Sequence, residues 1–162
     1  MAENLNYEAA NSKCYSNNTA NCTTYGRLYN WATAMGGSAS SSANPSGVRG
    51  VCPPNWHLPS DAEWTALTTA VGSDPGTKLR ANSSLWNSNG KGTDDFGFSA
   101  LPGGGGLSDG GFSSVGDYGL WWSASEDNSD SAYYRVMSYS YEGVYYFNYD
   151  KDLLFSVRCV QD

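Results

Sequence analysis

The densest run of side chains suited to binding lies between Glu126 and Asp150, which holds seven of the chain's twelve tyrosines among Ser, Asn and Asp, with few aliphatic residues. Tyrosine offers a broad amphipathic contact surface at low entropy cost, and Ser and Asn adapt their hydrogen bonds to many partners. That chemistry is non-covalent recognition, either of a protein or of a sugar face on which aromatic rings stack. The candidates are Tyr139, Tyr141, Tyr145, Tyr146, Asn148 and Tyr149, with Asp127 and Asn128. On a strand, Tyr133, Arg135, Met137 and Tyr139 alternate with Ala132, Tyr134, Val136 and Ser138, so about half of this set faces solvent. The plain alternative is that these rings only pack a second layer of a sheet.

A second group, Asn87, Asn89, Asp94 and Asp95, sits in a Gly-punctuated loop and carries the oxygen donors that calcium takes. The spacing matches no complete ion loop, and the Glu-Pro-Asn, Gln-Pro-Asp and Trp-Asn-Asp strings are absent, so any calcium would be structural. Turn capping by Asn and Asp explains the same residues. No other cofactor is called for. Gly103 to Gly106 is no phosphate cradle, because no Lys-Ser/Thr ending follows it, and backbone turning suffices as its explanation. His57, the only histidine, has no Ser or Cys nucleophile at recognisable spacing. Asp61 with Glu63, and Glu126 with Asp127, are paired carboxylates only by adjacency; glycoside chemistry needs two that face each other across a cleft.

The elements that must position these residues are helical early and extended late. Leu28, Trp31, Ala32 and Met35 fall at helical spacing over Tyr25 to Met35, with Thr23 or Thr24 as cap and Gly36-Gly37 as stop. Ser60 and Glu63 are spaced as a capping box for a second helix, whose apolar face is Trp64, Leu67 and Val71 and whose end is Gly72. Ser73 to Gly116 lacks sustained periodicity and reads as long ordered loops anchored by Trp86, Phe96, Phe98 and Leu101. Leu120 to Ala124, Ala132 to Tyr139, Val144 to Tyr149 and Leu153 to Val160 read as strands of a small antiparallel sheet. In the last of them Phe155, Val157 and Cys159 share one face.

A chain of 162 residues suits one domain, 1–162. Its net charge of −7 repels phosphate backbones and anionic lipid, which argues against a nucleic-acid partner. No run of about 18 apolar residues exists, so no direct membrane insertion is expected, and no charged-then-apolar leader opens the chain. Cys14, Cys22, Cys52 and Cys159 include no C-x-x-C pair, and one histidine makes a poor zinc site, so disulfides are expected and with them an oxidising, extracellular setting. Four cysteines allow three connectivities. The short polar loop between Cys14 and Cys22 favours Cys14–Cys22, and Cys52–Cys159 follows.

Several strings in fixed order carry a resemblance that covers nearly the whole chain. They are Met1 to Tyr7, Tyr25 to Ala32, Cys52 to Pro59, Asp94 to Gly104, Trp121 to Glu126 and Phe155 to Val160. Together they resemble the Fibrobacter succinogenes major paralogous (FISUMP) domain. That family is similar to the C-type lectin-like fold and to the formylglycine-generating enzymes, whose Leu-Pro-(Ser/Thr)-x-x-Glu-Trp helix start matches Leu58 to Trp64. The resemblance implies an α+β, C-type lectin-like domain, with two helices flanking a small twisted sheet and the chain ends close together. It also implies a secreted or surface-attached bacterial protein that binds a protein or carbohydrate ligand. Related C-type lectin-fold proteins serve as variable proteins of diversity-generating retroelements. Formylglycine-generating enzymes use two reactive cysteines near the C-terminus; here only Cys159 lies there, which argues against their chemistry. The expectation is a non-catalytic recognition domain, with a polysaccharide-binding adhesion module as the alternative.

Overall fold

Trp121 and Trp122 are adjacent on one strand, so they point to opposite sides of it, and both are fully buried. That pair divides the interior. The computed structural model describes residues 1–162, and in it strand β5 (Tyr118–Glu126) runs between two cores. The larger gathers Tyr29, Trp31, Met35, Leu58, Trp122, Phe155 and the Cys52 and Cys159 sulfurs; the smaller gathers Trp64, Leu79, Trp86, Trp121 and Met137.

Around β5 the sheet is built from β1 (Leu28–Tyr29), β3 (Gly103–Gly106), β4 (Phe112–Val115), β6 (Ser131–Ser138), β7 (Tyr145–Asp150) and β8 (Phe155–Ser156). One path runs β1-β8-β5-β3-β4; β6 pairs with β5, and β7 pairs with β6. The β5–β6, β6–β7, β3–β4 and β1–β8 ladders are antiparallel, whereas β3 and β8 run parallel to β5. The sheet is therefore mixed, not the antiparallel sheet expected from the sequence. Short parallel pairings of one or two residues leave no periodic mark. A separate ribbon joins β2 (Trp56–His57) to β9 (Val160–Gln161).

The helices are α1 (Thr19–Tyr25), α2 (Trp31–Met35), α3 (Asp61–Val71) and α4 (Pro75–Leu79). α3 starts as its sequence predicts: Ser60 accepts from the Glu63 amide, Glu63 accepts from the Ser60 amide, and Gly72 ends it at φ 78°. Of the helix expected over Tyr25 to Met35 only its second half, Trp31–Met35, is helical; α1 ends at Tyr25 and Leu28–Tyr29 between them is a strand. Asn30, not Thr23 or Thr24, caps α2 by accepting from the Thr33 amide, and Leu28–Tyr29 pairs with Phe155–Ser156. Both Leu28 and Tyr29 are buried, so sheet pairing overrode the helical spacing.

Three further expectations are corrected. Ser73 to Gly116 is not structureless: it contains α4, β3 and β4, and while Trp86 is buried, Phe96 is 59% exposed and anchors nothing. The glycines of β3 are a buried strand whose partners come too close for side chains, not a turn. A Cβ on Gly106 would sit 2.8 Å from Leu154, and Gly104 has a φ of +62°. The expected strand Leu153 to Val160 is broken into β8, which pairs in the main sheet, and β9, which pairs with β2 in the separate ribbon.

Both disulfides join the pairs favoured by the sequence, Cys14–Cys22 and Cys52–Cys159, leaving no free cysteine. Cys52–Cys159 ties the segment before β2 to the C-terminal segment, and hydrogen bonds join that segment to the chain's start. The Leu5 amide donates to Val157 O at 2.9 Å, and Arg158 donates to Asn4 Oδ1, Met1 O and Phe98 O. Burial holds the Arg158 pKa down at about 10, opposed by the charges of Asp94 and Glu3. No helix is long and apolar enough to cross a membrane.

Candidate functional site

In the β6–β7 hairpin β6 is largely buried, whereas every residue of β7 is exposed. Its register pairs Val136 with Tyr145, Arg135 with Tyr146, Tyr134 with Phe147, Tyr133 with Asn148 and Ala132 with Tyr149. Since side chains alternate along each strand, Tyr145, Phe147 and Tyr149 share one face with Tyr134, while Tyr146 and Asn148 share the other with Tyr133 and Arg135.

On the first face, Tyr145, Phe147 and Tyr149 are 46%, 53% and 57% exposed, a row with a ring at every second residue. Behind them the rings continue inward without a break. Phe147 lies 6.2 Å from Tyr134, Tyr134 lies 4.8 Å from Phe155, and Phe155 lies 4.5 Å from Trp122. Trp122 donates its indole N–H to Tyr29 O at 2.8 Å, which fixes the innermost ring. Burial raises the Tyr134 pKa. Tyr141, 58% exposed, sits 6.0 Å from Tyr145 and extends the row toward the hairpin tip.

The second face is polar. The Arg135 guanidinium donates to Asp61 O, Asp61 Oδ1 and Thr65 Oγ1 on α3, and the Tyr146 ring lies over it at 5.0 Å. Tyr133 donates to Asp127 Oδ1 at 2.7 Å, and this bond raises the Tyr133 pKa. Asn128 caps the β6 turn, accepting from the Asp130 and Ser131 amides.

The sequence-predicted residues are thus split. Tyr145 and Tyr149, with Tyr141, belong to the aromatic row; Tyr146, Asn148 and Asp127 belong to the polar face; Asn128 is a turn residue. Tyr139 is partly buried against the second core and leaves the set, since its amide bonds to Asp117 O and its ring packs inward. Phe147, which the candidate set of Tyr, Asn and Asp passed over, sits at the centre of the row, backed by Tyr134, which the alternation along β6 named but did not place on a face.

Two of the residues expected to hold calcium are engaged within the chain. Asp94 accepts from the Ser99 amide and hydroxyl, Asn87 donates to Asp117, and no group of three or more His, Cys, Asp and Glu side chains is arranged to hold an ion. The adjacent carboxylates are likewise turned apart. Asp61 meets Arg135, whereas Glu63 meets His57; Glu126 meets Lys151, whereas Asp127 meets Tyr133. His57 is held between carboxylates on both sides, Nε2 at 2.7 Å from Glu63 and Nδ1 at 2.6 Å from Asp162. Burial alone would lower its pKa, but the hydrogen bonds and charges of Glu63 and Asp162 outweigh this and raise it. This arrangement ties β2 to the α3 cap and to the residue after β9.

A family model, the Fibrobacter succinogenes major domain, matches residues 1–161. No curated protein and no solved structure matches the chain.

Proposed function

The chain belongs to the Fibrobacter succinogenes major domain family, and on that premise we propose that it is a non-catalytic, extracellular recognition domain that binds its ligand on the aromatic face of the β6–β7 hairpin. One observation carries this reading: Tyr145, Phe147 and Tyr149 stand side by side and about half exposed on a floor of rings that reaches Trp122 in the core. A hydrophobic row of this kind costs solvation when left bare, and its rings are already ordered by the packing beneath them. The ligand gains contact area without having to order the surface first.

A C-type lectin-like scaffold fits the joined chain ends and the few helices around a small sheet. An extracellular setting fits the two disulfides. A formylglycine-generating activity would need thiols, and all four sulfurs are bonded to one another. Protein or cell-surface recognition is the leading reading, including use as a variable protein of a diversity-generating retroelement. Sibling genes that differ only within 127–150, beside a reverse transcriptase, would support that use.

Adhesion to polysaccharide is the second reading. It is favoured by the spacing of the row, about 7 Å between rings two residues apart on a strand, which lets flat sugar faces lie along it. An array of glycans and proteins probed with the folded domain tests both. Specific retention of any ligand class, lost in Phe147→Ala with Tyr149→Ala, supports the proposal, and no retention of any class rejects it.

A further inference from the structure

Strand β7 is bonded on one side only. Its partner is β6, and nothing pairs with its outer edge. The ladder fixes which backbone groups face outward. Lys151 donates its amide to Asp130 O at 3.0 Å, and antiparallel bonding alternates, so Tyr149, Phe147 and Tyr145 direct their N–H and C=O groups at β6. Those of Tyr146 and Asn148 and the Asp150 N–H therefore point away from the sheet, while Asp150 O accepts from the Leu153 amide at 3.1 Å. Exposed edges are commonly protected by proline, lysine, a bulge or a covering loop. Within Tyr145–Asp150 there is no proline and no lysine, and the register with β6 runs without a shift.

We infer that β7 pairs antiparallel with β7 of a second copy, joining the two sheets across a two-fold axis at Asn148. This register sets Asn148 opposite itself, where the two copies exchange a pair of backbone bonds, and Tyr146 opposite Asp150 of the second copy, where the Asp150 amide donates to the opposing Tyr146 O. The side chains suit it. Tyr146 can donate its hydroxyl to the opposing Asp150 carboxylate, as Tyr133 does to Asp127 in each chain at 2.7 Å. On the other face Phe147 meets Tyr149, an aromatic cross-strand pair. The two Asp150 carboxylates lie at opposite ends of the paired segment, so the register avoids a like-charge contact. An isologous contact needs such self-complementarity. The two aromatic rows then become one continuous surface with two-fold symmetry.

Each copy carries a net charge of −7, so the copies repel at long range and pairing strengthens as salt screens that repulsion. The inference rests on backbone directions and does not depend on the ligand reading; a chain that stays monomeric yet binds through its aromatic face would remove only the pairing.

Sedimentation of the whole chain across a range of concentration and salt tests it, with Asn148→Pro as the probe. Proline at 148 deletes one outward N–H and leaves every β6–β7 bond in place, a position that an edge strand tolerates. The expected result is a mass that rises from 17.4 kDa toward twice that value with concentration, more readily at high salt. The Asn148→Pro chain should need at least tenfold higher concentration. Residue-resolved hydrogen exchange of the unaltered chain gives a second readout that no variant can confound. The amides of Tyr146, Asn148 and Asp150 should gain protection with concentration, while those of Tyr145, Phe147 and Tyr149 hold the protection they have when dilute. A monomer throughout, equal association by Asn148→Pro, or an unchanged exchange pattern overturns the inference.

Discussion

Removing the Cys52–Cys159 bridge should destabilise the domain far more than removing Cys14–Cys22. The two bridges close segments with sequence separations of 107 and 8 residues. The chain entropy restrained in the unfolded state grows with the logarithm of loop length. It amounts to about 4.8 kcal/mol for the longer loop and about 2.5 kcal/mol for the shorter. The gap widens once packing is counted, because Cys52 and Cys159 are 2% and 0% exposed within the larger core, while Cys14 and Cys22 lie at its outside. Equilibrium urea unfolding of Cys52→Ala/Cys159→Ala and of Cys14→Ala/Cys22→Ala measures both. The expected difference is at least ~2 kcal/mol between the double variants, with the long-loop variant the weaker. Equal losses, or the reverse order, would refute the view that the long bridge is what fastens the C-terminal segment into the larger core.

Three other perturbations separate surface from scaffold. Phe147→Ala with Tyr149→Ala should leave the unfolding free energy within about 1 kcal/mol of the parent, since both rings are more than half exposed, and calorimetry reads this directly. Trp122→Ala should cost about 3 to 5 kcal/mol and loosen the row from beneath, seen as a lowered denaturation midpoint with weakened near-ultraviolet dichroism. His57 should make stability fall with rising pH. Its folded pKa is raised above the ordinary 6.5, so its contribution is fully present below that value and is lost as pH climbs through the folded one. His57→Gln should flatten this slope in melts taken across the range, and an unaltered slope would mean that another group titrates there.

The parts of the fold that local chemistry dictates could be read from the sequence alone. The Ser60–Glu63 capping box, the short Cys14–Cys22 bridge and the strands carrying the tyrosines are of this kind, and the distant Cys52–Cys159 bridge followed only because two cysteines were left. What was hidden depends on contacts distant in sequence. Leu28 and Tyr29 look helical until Phe155 and Ser156 supply a strand to pair with, and the four glycines of β3 look like a turn until Leu154 and Ser113 crowd them from both sides. The same holds for the site. Composition located the hairpin, but sorting its residues required the register, which put Tyr146 over Arg135 on one face and Phe147 beside Tyr134 on the other. Tyr139 lies just past β6, which ends at Ser138, and packs partly buried against the smaller core, a placement that the strand expected over Ala132 to Tyr139 did not show.

Titrating one array-selected ligand into two double variants, Phe147→Ser/Tyr149→Ser and Tyr146→Ser/Asn148→Ala, compares the two sides of the hairpin directly. With both variants melting like the parent, affinity should drop at least tenfold for the first and by less than about threefold for the second, a gap near 0.7 kcal/mol or more. Full affinity in the first variant, or a loss confined to the second, would contradict recognition through the aromatic row.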